Sequence, residues 1–105
     1  MTTVYRADDY DIPTGSAGEC WTEDLDVAER YGQRVYTLLA DLTGSVEVDG
    51  YDHATDTTPA DDTAFLAAHA ADGAIWIDYE DEDEMGRESR TYRLVADISA
   101  DITTV

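Results

Sequence analysis

Ala74-Ile-Trp-Ile-Asp-Tyr79 runs without a break into Glu80-Asp-Glu-Asp-Glu84, then Met85-Gly86-Arg87-Glu88, and then Ser89 to Ile98. β-branched and aromatic residues make the first six a strand, and the acidic run after Tyr79 reads as exposed. Met85 to Glu88 is a turn, and Ser89 to Ile98 is a return strand with Tyr92, Leu94 and Val95 as core candidates. Ahead of this hairpin the spacing predicts a helix over about Pro59 to Ala71. Pro59 suits the first helical position, Gly73 the position just past the end, and Phe65, Leu66 and His69 the packing face. Strands and helices in separate runs predict an α+β domain.

Working back towards the start, Asp49 to Asp62 is polar and acidic and reads as a loop. Val46 to Val48 is a short strand after a turn at Gly44, and Arg34 to Leu42 is a strand buried on both faces near its middle. Cys20 to Gly32 carries a helix signal: Thr22 to cap it, Glu23, Asp24 and Asp26 at the positive end of its dipole, and Leu25, Ala28 and Tyr31 as an apolar stripe, with Gly32 as the stop. Asp8 to Gly18 is loop, and residues 3 to 7 form a first strand. The whole, residues 1–105, is expected to be one small domain with two helices and short mixed or antiparallel sheets.

Charge narrows the function classes. The 105 residues hold 17 Asp and 8 Glu against six Arg and no Lys, a formal net charge of -19. Such a chain has few cations to set against phosphate, so direct nucleic-acid binding and docking on an anionic membrane are not expected. A hydrophobic share of 43% is enough apolar material to fold. No basic stretch precedes an apolar run at the start, and no segment approaches membrane-spanning length, which predicts a soluble cytoplasmic protein that is not secreted. Abundant Asp, 13 Thr and no Lys match the composition of halophilic proteins. The 52 residues from 35 to 86 hold no Lys or Arg, which is the alternative signal of a non-enzymatic inhibitor or virion protein that mimics DNA. Salt separates the two, since a halophilic fold weakens when screening is withdrawn and a mimic loses its partner when salt is added.

Three features recur in a set order: Tyr5-Arg6 on the first strand, Trp21-Thr22 ahead of Ala28-Glu-Arg-Tyr31-Gly32, and a strand through Trp76 that ends in acids. This order resembles the small ADP-ribosyltransferase-like proteins of prokaryotes and their viruses, including phage anti-CRISPR ADP-ribosyltransferases, over roughly Val4 to Val95. The resemblance implies an NAD site bordered by Arg6, Tyr5, Trp21, Thr22 and Tyr31, with Glu82, Asp81 or Glu80 as the catalytic carboxylate. It also implies a protein target, in the host cytoplasm if the chain is viral. Breaking the nicotinamide glycosidic bond passes through an oxocarbenium-like ribosyl cation, which a carboxylate at the 2-hydroxyl stabilises. Arg supplies a fork of donors for phosphate or ribose oxygens.

Each residue has a second reading. Arg6 is equally a surface strand residue paired with a carboxylate, Thr22 a helix cap, and Asp78 to Glu84 a solvated hairpin. As a calcium loop the acidic run fails, because Met85 and Tyr92 fall at ligand positions. Cys20 reads as a small apolar residue, a single cysteine excludes an internal disulfide, and His53 and His69 lack partners at zinc spacing, so no metal is expected.

Overall fold

The computed structural model describes residues 1–48, 59–82 and 88–105. Its strands are β1 (Thr2–Ala7), β2 (Cys20–Thr22), β3 (Val35–Ala40), β4 (Val46–Glu47), β5 (Trp76–Glu82), β6 (Glu88–Leu94) and β7 (Thr103–Thr104). The helices among the described residues are α1 (Leu25–Glu29) and α2 (Pro59–Ala71). One seven-stranded sheet in the order β4-β5-β6-β2-β1-β3-β7 holds all the strands. Every pairing is antiparallel except β4 with β5, so the fold is α+β around a mixed sheet.

Alternation along the strands divides the core between the two faces. On one face Val4, Trp21, Tyr36, Leu38, Trp76 and Leu94 pack together under Leu42, Ile98 and Ile102 from the segments after β3 and β6. On the other face α2 lays Leu66, with Phe65 and Ala70 beside it, over Ile77, Tyr79 and Val95. Arg93 ties α2 down: it is 7% exposed, and its Nη1 and Nη2 donate to the two carboxylate oxygens of Asp62 at 2.8 and 2.6 Å.

α2 begins and ends where Pro59 and Gly73 predict. Gly73 takes φ 88°, the left-handed conformation that closes helices and favours glycine. Other elements differ from expectation. Cys20–Thr22 is strand rather than the start of a helix, because Trp21 buries its indole in the sheet core and all three residues pair with β6. The helix therefore begins later and is short, with Asp24 as its cap, the carboxylate accepting from the amides of Asp26 and Val27. Thr22 instead accepts from the amide of Asp24. Gly32 ends nothing by a left-handed turn: a Cβ there would stand 2.9 Å from Oδ1 of Asp9, so glycine is needed for close approach.

β3 is buried mainly on one face, since Leu39 is 60% exposed. β4 pairs with β5 in parallel, and β7, too short to read from sequence, closes the other edge. The acidic run does not begin a loop after Tyr79, because β5 continues through Glu82 by pairing with β6 as far as Glu88. β6 itself ends at Leu94 rather than Ile98. Of the loop expected from Asp49 to Asp62, residues 59–62 belong to α2 and 49–58 lie outside the described residues; of the turn expected from Met85 to Glu88, Glu88 belongs to β6 and 85–87 lie outside them. Among the described residues no helix is long and apolar enough to cross a membrane.

Candidate functional site

Four strands set the same register position side by side. Tyr79 of β5 faces Thr91 of β6, Thr91 faces Thr22 of β2, and Thr22 faces Tyr5 of β1. Every residue of this row carries a hydroxyl, and all four border one cleft with a volume of about 350 Å³. Val27 and Ala28 of α1 wall it on one side. Tyr31, just past the helix and held by its amide donating to the Ala28 carbonyl at 3.0 Å, stands on the rim 72% exposed.

The structure thus brings Tyr5, Arg6, Trp21, Thr22 and Tyr31 to the border of a single cleft. Their environments differ. Trp21 keeps its indole in the core, with Nε1 donating to Glu19 at 3.3 Å, and meets the cleft only along its border. Thr22 uses its hydroxyl proton on the Arg90 carbonyl, 3.1 Å away. It offers a ligand only a lone pair, and it does not orient Arg6.

Arg6 itself donates Nη1 to the Cys20 carbonyl at 3.0 Å and sets Nη2 3.8 Å from Oδ2 of Asp8, while its Nε is buried without an acceptor. Alternation along β1 sets this side chain on the face of Val4 and Tyr36, opposite the hydroxyl row, so Arg6 meets the cleft only along its border. Asp8 is held below the usual carboxylate value of 3.8 by the amide of Asp11, then that of Tyr10, with a further contribution from Arg6.

The acidic candidates separate. Glu80 is exposed, faces Arg90 across the hairpin and lies 3.8 Å from Arg90 Nη2. Arg90 Nη1 also donates to Asp78 at 3.2 Å, so these two acids belong with Arg90, and neither borders the cleft. Asp81 and Glu82 are located by backbone register. Both lie inside β5 rather than past its end, Asp81 opposite Ser89 and Glu82 opposite Glu88. Ser89 borders the cleft, so Asp81 occupies the strand position next to it and two residues on from Tyr79.

Sequence reasoning passed over Tyr79, Ser89 and Thr91 as site residues. Their signal was alternation, since i and i+2 on paired strands share a face, but the partner register was not available to it. It also took Cys20 for a simple apolar residue. The thiol borders the cleft half-buried, 3.8 Å from the Tyr79 hydroxyl.

Among the described residues, none that borders the cleft is acidic, in a chain where 25 of 105 residues are. Several hydroxyls and aromatic rings suit a sugar-bearing aromatic ligand. Among the described residues no cluster of three or more His, Cys, Asp or Glu is arranged to hold a metal ion. Compared with known proteins, the chain matches no family model, no curated protein and no solved structure.

Proposed function

We propose that the chain is a small ADP-ribosyltransferase-like domain that binds NAD in this cleft and transfers ADP-ribose to a partner protein. One observation carries the reading. Tyr5, Arg6, Trp21, Thr22 and Tyr31, singled out by motif order in separate stretches, border one cleft that no acid among the described residues borders, in a protein of net charge -19. Small-molecule sites run from about 300 to 1,000 Å³, so a cleft of about 350 Å³ suits the nicotinamide-ribosyl half better than the whole dinucleotide.

In this reading the hydroxyl row of Tyr5, Thr22, Thr91 and Tyr79 meets the ribose. The carboxylate that stabilises the ribosyl cation comes from Asp81 or Glu82, since Glu80 is engaged with Arg90. The bond between nicotinamide and C1 of the ribose breaks, nicotinamide leaves with the electron pair, and a nucleophile of the partner takes its place.

Calorimetric titration with NAD at molar and at low salt tests the proposal, with Thr91→Val as the variant that removes a hydroxyl from the row. Binding at one salt or both, weakened about fivefold by Thr91→Val, supports it. Asp81→Asn or Glu82→Gln should retain NAD and lose nicotinamide release. Absence of NAD binding at both salts overturns the reading in favour of an acidic inhibitor.

A further inference from the structure

The hydroxyl row does not stop at the cleft. Tyr5 is the last of its members to border the cleft, but the register continues from Tyr5 to Thr37 of β3 and from Thr37 to Thr103 of β7. Six neighbouring strands therefore carry Tyr79, Thr91, Thr22, Tyr5, Thr37 and Thr103 in one line on one face of the sheet. At about 4.8 Å between strands, the line is about 24 Å long. Its half outside the cleft is open. Thr3 and Thr103 are exposed, and Leu39, two residues on from Thr37 and on the same face, is 60% exposed.

Polarity limits what the line can hold. Thr22 gives its hydroxyl proton to the Arg90 carbonyl, and Thr37 gives its own to the Val4 carbonyl at 3.0 Å. On either side of Tyr5 the row thus presents lone pairs only, and a ligand laid along it must bring O–H or N–H donors. Phosphate and ionised carboxylate oxygens bring none. Charge limits the occupant further. Thr3, Ala7, Val35 and Leu39, which flank the row on β1 and β3, are uncharged in a chain of which 30% of residues are charged. A ligand with a fixed charge finds no counter-charge on these two strands.

We propose that the row is a subsite for an uncharged, β-linked oligosaccharide that fills the cleft with one end and crosses β1, β3 and β7 with the other. Each unit of such a chain supplies hydroxyl donors, and the rise of one unit in an extended β-linked chain is close to the strand spacing, so successive units meet successive strands. Their apolar C–H faces rest on Tyr5 and Leu39, the mixture of apolar walls and few polar groups usual in ligand sites. A peptide laid the same way alternates its N–H donors with carbonyl oxygens, which oppose the lone pairs of Thr22 and Thr37. The inference goes beyond the NAD reading and needs only the row.

The test is calorimetry at molar salt with glucose, cellotetraose and tetragalacturonate, a chain that carries a carboxylate on every unit. The proteins are the unaltered chain, Thr37→Val and Thr103→Val. Cellotetraose should bind at least tenfold tighter than either glucose or tetragalacturonate. Each valine should weaken cellotetraose about fivefold, the scale of one neutral hydrogen bond, and leave glucose within twofold. Thr103 is exposed at the sheet edge, so its variant reports on binding even where Thr37→Val loses stability with its bond to Val4. Cellotetraose no tighter than glucose or tetragalacturonate, or indifferent to both valines, overturns the proposal. Self-association in sedimentation that Leu39→Asp abolishes also overturns it, by giving the open face to a second copy.

NAD separates the two proposals. Cellotetraose binding without NAD binding keeps the saccharide row and ends the NAD reading, while NAD binding without cellotetraose ends the saccharide row alone. Where both bind they should compete, because they share Tyr5 and Thr22, and simultaneous binding overturns a row that runs into the cleft.

Discussion

Replacing Asp62 by alanine removes both charged hydrogen bonds that α2 makes to Arg93, at 2.8 and 2.6 Å, while the guanidinium stays under the helix at 7% exposure. The Arg93 Nε contact to the Gly18 carbonyl, at 3.4 Å, is long and replaces neither. Breaking a fully buried ion pair from one side costs about 3–5 kcal/mol. The Asp62 side chain is 23% exposed, so water compensates part of that loss, and about 2 kcal/mol is expected. With a urea slope of about 1.5 kcal/mol per molar, the unfolding midpoint should fall by about 1.3 M.

Urea unfolding at molar salt, followed by the fluorescence of buried Trp21 and Trp76, measures the shift. The companion variant Asp62→Ala with Arg93→Met removes the buried charge and fills its space with an apolar side chain. It should recover at least half of the loss. A shift below about 0.3 M for Asp62→Ala, or a double variant as unstable as the sum of its parts, would refute the view that this pair clamps the helix to the sheet.

Tyr92 donates its hydroxyl to Glu23 at 2.5 Å, and burial first, then the Glu23 carboxylate, push the phenol above its ordinary value of 10.0. Its contribution is whole below about pH 10 and is lost as the pH rises beyond that, because the unfolded phenol ionises first. Tyr92→Phe should therefore lose about 1 kcal/mol at neutral pH and decline less steeply than the unaltered protein in unfolding measured from pH 9 to 11. Gly32→Ala should destabilise by about 1 kcal/mol, since its Cβ meets the Asp9 carboxylate at 2.9 Å. In an Asp9→Ala background the same change should be neutral, and equal losses in both backgrounds would show that Asp9 is not the obstacle.

What could be read from the chain follows the range of the interactions. α2 is legible because its signals are local, a proline at its start and a glycine with positive φ after it. The cleft residues Arg6, Trp21, Thr22 and Tyr31 are legible as an ordered set, but the reason they meet is not. Thr22 faces Tyr5 and Thr91 only because β2 lies between β1 and β6, a strand order that no neighbouring residue announces. The same ignorance of register turned Cys20–Thr22 into helix, since Asp24 and the acids around it are good first-turn residues wherever the helix begins.

Charge misled in one place. Glu80-Asp-Glu82 looks like loop because acids disfavour strands, yet pairing with β6 outweighs that preference. The partners of Arg93 and Tyr92 lie 31 and 69 residues away and leave no trace in spacing.

The proposed NAD site is the cleft between α1 and the row Tyr5, Thr22, Thr91 and Tyr79. Amide chemical-shift mapping during an NAD titration at molar salt tests it most directly. With NAD bound there, the perturbed amides should concentrate at Tyr5 to Ala7, Cys20 to Thr22, Val27 to Tyr31 and Ser89 to Thr91, with α2 and β7 unchanged. Perturbations centred on α2 or β7, or none up to millimolar NAD, would contradict it.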